Sequence, residues 1–226
     1  MNIAHEASHS LITGMSRKGK STFARALSAK AGARWKFGCD PYKKEFPRFM
    51  GWPLVIDEPG LKRAVMAGQA SGFYSAPLFP GDRIEGFNFW IRWVYEVGKA
   101  LPGRKLVVVE EIEKTTAHRN SPLAPAFSET LDEGRAAQFD VLMIAQRVST
   151  VSELIRAQTT EIITFQHVDG NQLDWLKAEG FNPDSVSRLD RGEYIWRDRE
   201  QGTERTNARG KLHSTRKADR GFAPQR

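Results

Sequence analysis

Only one cysteine, Cys39, occurs among the 226 residues, and the five histidines are scattered without metal-ligand spacing. These absences exclude an internally disulfide-stapled scaffold and a structural zinc site, and they make a reducing compartment the expected setting. No apolar run approaches the roughly 20 residues that span a bilayer. The N-terminus, MNIAHEASHS, has neither the basic start nor the apolar stretch of a secretion signal, so the chain is expected in the cytoplasm. Internal repeats and low-complexity blocks are also missing. A hydrophobic content of 40% remains, enough to bury the core of one domain of ordinary size. The net charge of +7 points to polyanionic partners, although the same balance is common in proteins that never touch nucleic acid.

Along the chain, apolar strands alternate with helical patterns. HSLITG (9–14) reads as a strand entering a glycine, and KSTFARALSAKAG (20–32) as a helix with Phe23, Leu27 and Ala31 on one face. RWKFGCDPYKKEF reads as a second strand that breaks at Asp40-Pro41, because a residue before proline is pushed out of helical geometry. Between 51 and 82, where glycine and proline are dense, GLKRAVMAG suggests a short helix and FYSAPLF a strand. FNFWIRWVYEVGKAL (87–101) places Phe87, Trp90, Ile91, Val94 and Val97 on one helical face, with Phe89 and Trp93 on a second, read as secondary packing rather than a subunit contact. Strands are further expected at KLVVV, FDVLMIA, EIITFQ and GEYIWRD, with helices at 124–137, near 151–157 and near 171–179. Continuous apolar strands alternating with helices predict an α/β fold: a parallel sheet covered on both faces. From Arg199 to Arg226 there are eight Lys/Arg against three Asp/Glu and almost no large apolar residue. Residues 1–198 are therefore expected to form a single domain, and 199–226 a mobile basic tail that either contacts nucleic acid or is merely solvated.

GMSRKGKST (14–22) fits G-x-x-x-x-G-K-[ST], with a strand directly before it and a helix directly after, the context that makes this phosphate-binding loop specific. Gly14, Met15, Ser16, Arg17, Lys18, Gly19, Lys20, Ser21 and Thr22 are thus the expected nucleotide-binding residues. Glycines let backbone N–H groups turn toward phosphate oxygens, and the helix N-terminus adds its positive end. Lys20 would neutralise the β- and γ-phosphates of ATP and the Ser21 hydroxyl would ligate Mg2+. The loop alone does not name a reaction, since kinases, GTPases and motors share it. LVVVEE adds an apolar strand ending in acid, which places carboxylates where open α/β sheets bind ligands. Glu110 would hold the magnesium shell, and Glu111 would polarise the attacking water. Two acids favour hydrolysis over transfer to a hydroxyl. Finally, FDVLMIAQR ends in Gln146 and Arg147 instead of a turn. If this strand lies between the P-loop strand and the acidic strand, Gln146 would meet both the γ-phosphate and the water.

Four segments, GMSRKGKST, CDPYKKEF, VVVEE and DEGRAAQFDVLMIAQRVSTVSELIRAQTTEIITFQ, together resemble the HerA/FtsK superfamily of DNA-pumping ATPases over residues 10–166. Glu110 departs from the usual Asp at its position. The resemblance implies a RecA-like P-loop core (Walker A and Walker B), ATP and Mg2+ as cofactors, and a homo-oligomeric ring, usually a hexamer. In such a ring an arginine from one subunit completes its neighbour's site. Arg135 is the first candidate for this finger and Arg147 the second; either is also readable as a surface arginine.

With the first strand within ten residues of the start and no C-terminal winged helix, the chain is expected to be a bare core similar to the genome-packaging ATPases of tailless, internal-membrane (tectivirus-like) phages. That likeness implies sequence-independent double-stranded DNA and capsid portal or vertex proteins as partners. It also implies a host-cytoplasmic location, with association at the packaging vertex. A DNA pump of conjugation, segregation or repair, a monomeric small-molecule kinase, and a non-catalytic DNA-binding protein are the alternative readings.

Overall fold

The computed structural model describes residues 8–40, 45–134 and 136–208. Its strands are β1 (His9–Thr13), β2 (Trp35–Cys39), β3 (Leu54–Val55), β4 (Ser71–Phe73), β5 (Lys105–Val109), β6 (Phe139–Ala145), β7 (Glu161–Thr164), β8 (Ile195–Asp198) and β9 (Glu204–Thr206). The helices are α1 (Lys20–Lys30), α2 (Glu45–Met50), α3 (Glu58–Met66), α4 (Arg83–Ala100), α5 (Pro125–Asp132), α6 (Glu153–Gln158), α7 (Gly170–Ala178) and α8 (Pro183–Ser187). One sheet takes all nine strands in the order β3-β4-β2-β5-β6-β1-β7-β8-β9. Every pairing from β3 to β7 is parallel, and the β7·β8 and β8·β9 pairings are antiparallel. The predicted α/β architecture is therefore what the chain adopts, with an antiparallel hairpin added at one edge.

Both faces are covered, as continuous apolar strands require. Successive side chains of a strand point to opposite faces. Leu11, Val107, Val109, Val141 and Met143 accordingly join a core with Leu61 of α3, Trp90 and Val94 of α4, Phe127 of α5 and Ile155 of α6. Ile12, Leu106, Val108, Leu142 and Ile144 face the other way, toward Ala24 of α1 and Phe46 of α2. Both aromatic stripes of α4 pack: Trp93 meets Phe37 edge-on at 6.4 Å, and Phe89 lies 6.0 Å from Phe73 and 5.4 Å from Phe79. No helix of the described residues is long and apolar enough to cross a membrane.

Three expectations change. In FYSAPLF only Phe73 belongs to a strand; Pro77 and Pro80 bracket a turn in which the N–H groups of Leu78 and Phe79 donate to the Ser75 carbonyl. GEYIWRD enters the sheet only at Ile195, antiparallel to β7, and is not the last strand. The stretch expected to be a tail from Arg199 begins instead as a turn into β9, and Ala208 is buried. A three-residue edge strand buries little surface of its own, which is why its composition looked unfoldable; ladder hydrogen bonds to β8 hold it. Residues 209–226 lie outside the described residues.

Candidate active site

The parallel strands all point their C-terminal ends at one edge, where the chain turns from β1 into α1. Gly14 has φ 150°, and a Cβ there would come within 2.6 Å of Phe165 Cβ, so only glycine lets the loop pass. Gly19 at φ 115° starts α1 without a side-chain cap, and Arg17 is left-handed at φ 63°. The first amides of an uncapped helix have no internal partners and face an anion site instead. Lys20 is buried, its Nζ donating to the carbonyls of Gly14 (2.6 Å) and Met15 (2.9 Å). Met15, Ser16, Arg17 and Thr22 are exposed, and Lys18 is half-buried with its carbonyl accepting the Gly192 N–H at 2.9 Å. Behind the loop, His167 is buried against Thr13 Oγ1 at 3.1 Å. Burial, and then the charge of Lys20, lowers its pKa to about 4.

β6 lies between β1 and β5, the condition on which the reading of Gln146 depended. Three ends thus converge: the P-loop after β1, the acids after β5, and Gln146 after β6. Ser21 and the Glu110 carboxylate line the same cleft and are close enough for the hydroxyl to favour the charged carboxylate, so the two expected magnesium ligands are neighbours. Burial first, and then the neighbouring Asp40, raises the Glu110 pKa to about 7, against the opposing pull of Ser21 and Lys20. Asp40 directly follows β2, the strand beside β5, and its Oδ2 accepts the N–H groups of Glu45 (3.0 Å) and Phe46 (3.2 Å). Carboxylates crowded in this way suit a divalent cation. Among the described residues, no group of three or more His, Cys, Asp or Glu side chains could hold a metal by itself. The Ser21 hydroxyl and the Glu110 carboxylate are the kind of oxygen ligands that fit Mg2+, which takes one or two protein ligands plus phosphate oxygens and water.

Glu111 sits at φ 51°, a left-handed conformation rare outside glycine, which turns the chain abruptly out of β5. Its Oε1 accepts from Gln146 Nε2 at 3.3 Å and its Oε2 pairs with Lys114 Nζ at 2.9 Å. The expected base and the expected sensor are thus already in contact. Arg147 is exposed and does not line the cleft; Arg135 lies outside the described residues.

The cleft encloses about 1080 Å³. One rim carries Arg25, whose guanidinium stacks 3.7 Å over the exposed Phe49 ring. The cleft is also walled by Arg191, Gly192 and Tyr194, at the entry to the β8–β9 hairpin, and by Asn207 just after it. The Tyr194 ring is tilted against Phe23 with centroids 4.5 Å apart, and Asn207 ties the hairpin by accepting the Tyr194 N–H (2.7 Å) and donating to the Gly192 carbonyl (3.0 Å). Asp40, Glu113 and this wall were not anticipated as site residues. Asp40 had a signal, the Asp-Pro that stopped the second strand; the wall had none beyond a glycine followed by a tyrosine.

No protein-family model matches the chain, and no curated protein matches it. Solved structures do. The genome-packaging NTPase B204 of Sulfolobus turreted icosahedral virus 2, in complex with AMPPCP, superposes with a TM-score of 0.68 at 19% identity, over 88% of this chain and 96% of that one. VirB4 of Thermoanaerobacter pseudethanolicus gives 0.65 at 12% identity, covering 88% of both chains. The pCW3 conjugation coupling protein TcpA with ATPgS gives 0.57 at 12%, over 85% of this chain and 58% of that one. At such identities the likeness establishes the fold alone, an α/β P-loop NTPase core.

Proposed function

We propose that this chain is a Mg2+-dependent ATPase that drives double-stranded DNA irrespective of sequence, as the genome-packaging pump of a virus. One observation carries the reading: Glu111 and Gln146, on neighbouring strand ends facing the P-loop, are hydrogen-bonded to each other. The likeness to B204 supports the packaging role, and the likenesses to VirB4 and TcpA support the broader alternative of a HerA/FtsK-type DNA pump in conjugation.

ATP phosphates would lie across the loop amides, with Lys20 moving from the carbonyls of Gly14 and Met15 onto the β- and γ-oxygens. Ser21 and Glu110 would hold Mg2+, which when bound neutralises charge on those phosphates. Glu111 accepts the proton of the attacking water, and the Gln146 amide orients that water against the γ-phosphorus. The products are ADP and phosphate. A ring, taken here as a hexamer, would bring an arginine from the neighbouring subunit to the γ-phosphate. Arg147, exposed and outside the cleft of its own chain, would serve only such a neighbour, and Arg135 is the other candidate. Residues 209–226, with six Lys/Arg and one Asp, would contact DNA or a portal vertex protein, placing the pump in the host cytoplasm or at the vertex of the virion. Phosphate release measured with and without double-stranded DNA tests the reading. Stimulation by DNA that weakens steeply with salt is expected; hydrolysis indifferent to DNA, from a strict monomer, would overturn it.

A further inference from the structure

The turn that follows Glu111 contains a carboxylate that none of these steps uses. Ile112–Lys114 forms one 3-10 turn, anchored by the fully buried Ile112 and by Thr115, whose Oγ1 donates to the Ile112 carbonyl at 2.8 Å. Glu113 points from this turn to the end of β6, where its Oε1 accepts the backbone N–H of Gln146 at 2.9 Å. The ladder explains why a side chain is needed there. β5 pairs with β6 only as far as Val109↔Met143, so on that side the chain beyond Met143 has left its neighbouring strand. An amide at a strand end needs an acceptor from elsewhere, and Glu113 supplies one.

A neutral side chain could have done this more cheaply. The Glu113 Oε2 atom is buried with no hydrogen-bond partner among the described residues, and burial of the carboxyl raises its pKa. Such desolvation is costly, whereas a hydrogen bond from an amide to a charged acceptor is stronger than one to a neutral acceptor. The bond falls on the backbone of the very residue whose side-chain amide meets Glu111. We infer that Glu113 is a positioning residue for hydrolysis: by holding the Gln146 backbone, it fixes the angle at which the Gln146 amide meets Glu111 and the attacking water. This assignment rests on the proposed ATPase reaction and adds a residue to it. Glu111, Glu113 and Lys114 then form one device, a turn that carries the base, clamps the sensor and pairs with the base.

Steady-state ATP hydrolysis, nucleotide affinity and amide exchange in the full chain test it together. Glu113→Ala should lower kcat by up to about tenfold, no more than loss of the Gln146 side chain itself, the penalty of a small misplacement, while leaving nucleotide affinity unchanged. Glu113→Gln, which keeps the acceptor oxygen, should recover most of that loss. In a Gln146→Ala background, Glu113→Ala should cost almost nothing further, because residues acting as one unit are not additive. Exchange at the Gln146 amide should accelerate in Glu113→Ala and stay near wild type in Glu113→Gln. The assignment is overturned by an unchanged kcat, by equal losses in both Glu113 variants, by a full additional loss in the Gln146→Ala background, or by unaltered exchange at Gln146. A wild-type chain without ATPase activity would overturn the functional reading itself, while the exchange measurement would still decide whether Glu113 holds Gln146.

Discussion

The two sides of the cleft are made of different material. On the P-loop side the phosphate site is largely backbone: glycines in left-handed conformations, uncapped amides at the start of α1, and one lysine resting on loop carbonyls. On the β5–β6 side it is side chain on side chain, with Gln146 and Lys114 both on Glu111. Backbone sites bind whatever presents phosphate oxygens, and their geometry survives most substitutions. Side-chain sites choose a reaction and fail when a single atom moves. Affinity and turnover should therefore separate cleanly between the two sides.

Glu111→Gln is the strongest test of that separation. The substitution keeps shape and the contact with Gln146 but removes the proton acceptor, so kcat should fall about 10²- to 10⁴-fold while ATP affinity holds. Phosphate release at the wild-type rate would remove Glu111 from its role. Lys20→Ala attacks the other side. A charge-assisted contact contributes about 1.5–3 kcal/mol, so ATP affinity should weaken roughly 10- to 100-fold, read by titration calorimetry. Unchanged affinity would mean that Lys20 stays on the Gly14 and Met15 carbonyls when nucleotide binds. Gln146→Ala should be milder than loss of the base, lowering turnover about tenfold with ATP binding retained and DNA stimulation lost. If stimulation survived, the amide would orient water without reporting on DNA.

The same division decided what could be read from sequence. The P-loop is a contiguous pattern whose spacing is its geometry, so GMSRKGKST pointed to Lys20 and Ser21, the strand-ending acids and amide pointed to Glu110, Glu111 and Gln146, and the fold brings all five to one cleft. The order of the strands in the sheet is set by crossovers that no local pattern carries; only after β2 lay beside β5 did Asp40 become a neighbour of Glu110. Glu113 was hidden in a run of acids, EEIEK, where composition suggests a solvated strand end. Its role came from a 3-10 turn that points one of those acids inward. The hairpin wall was missed for the opposite reason. β9 is short, polar and at an edge, and pairing with β8 rather than burial holds it, so hydrophobicity carried no trace of it.

The backbone-built side nevertheless has one titratable weakness, and it gives the smallest expected effect. His167 is fully buried behind the loop, and burial together with Lys20 lowers its pKa to about 4 from an ordinary 6.5. Folding therefore favours the neutral ring. The stability this contributes is complete above about pH 6.5 and is lost as pH falls through about 4, an effect on the order of 3 kcal/mol at most. Chemical denaturation between pH 7 and 4 should show a decline that His167→Asn removes, since Asn can still bond Thr13 but cannot take up the proton. An equally steep decline in the variant would assign the acid sensitivity to other groups. Bound ATP should blunt the decline in the wild type, because phosphates near Lys20 offset the charge that helps to hold His167 neutral. A decline indifferent to nucleotide would mean that burial alone sets this histidine, and that Lys20 is felt only by ligands in front of the loop.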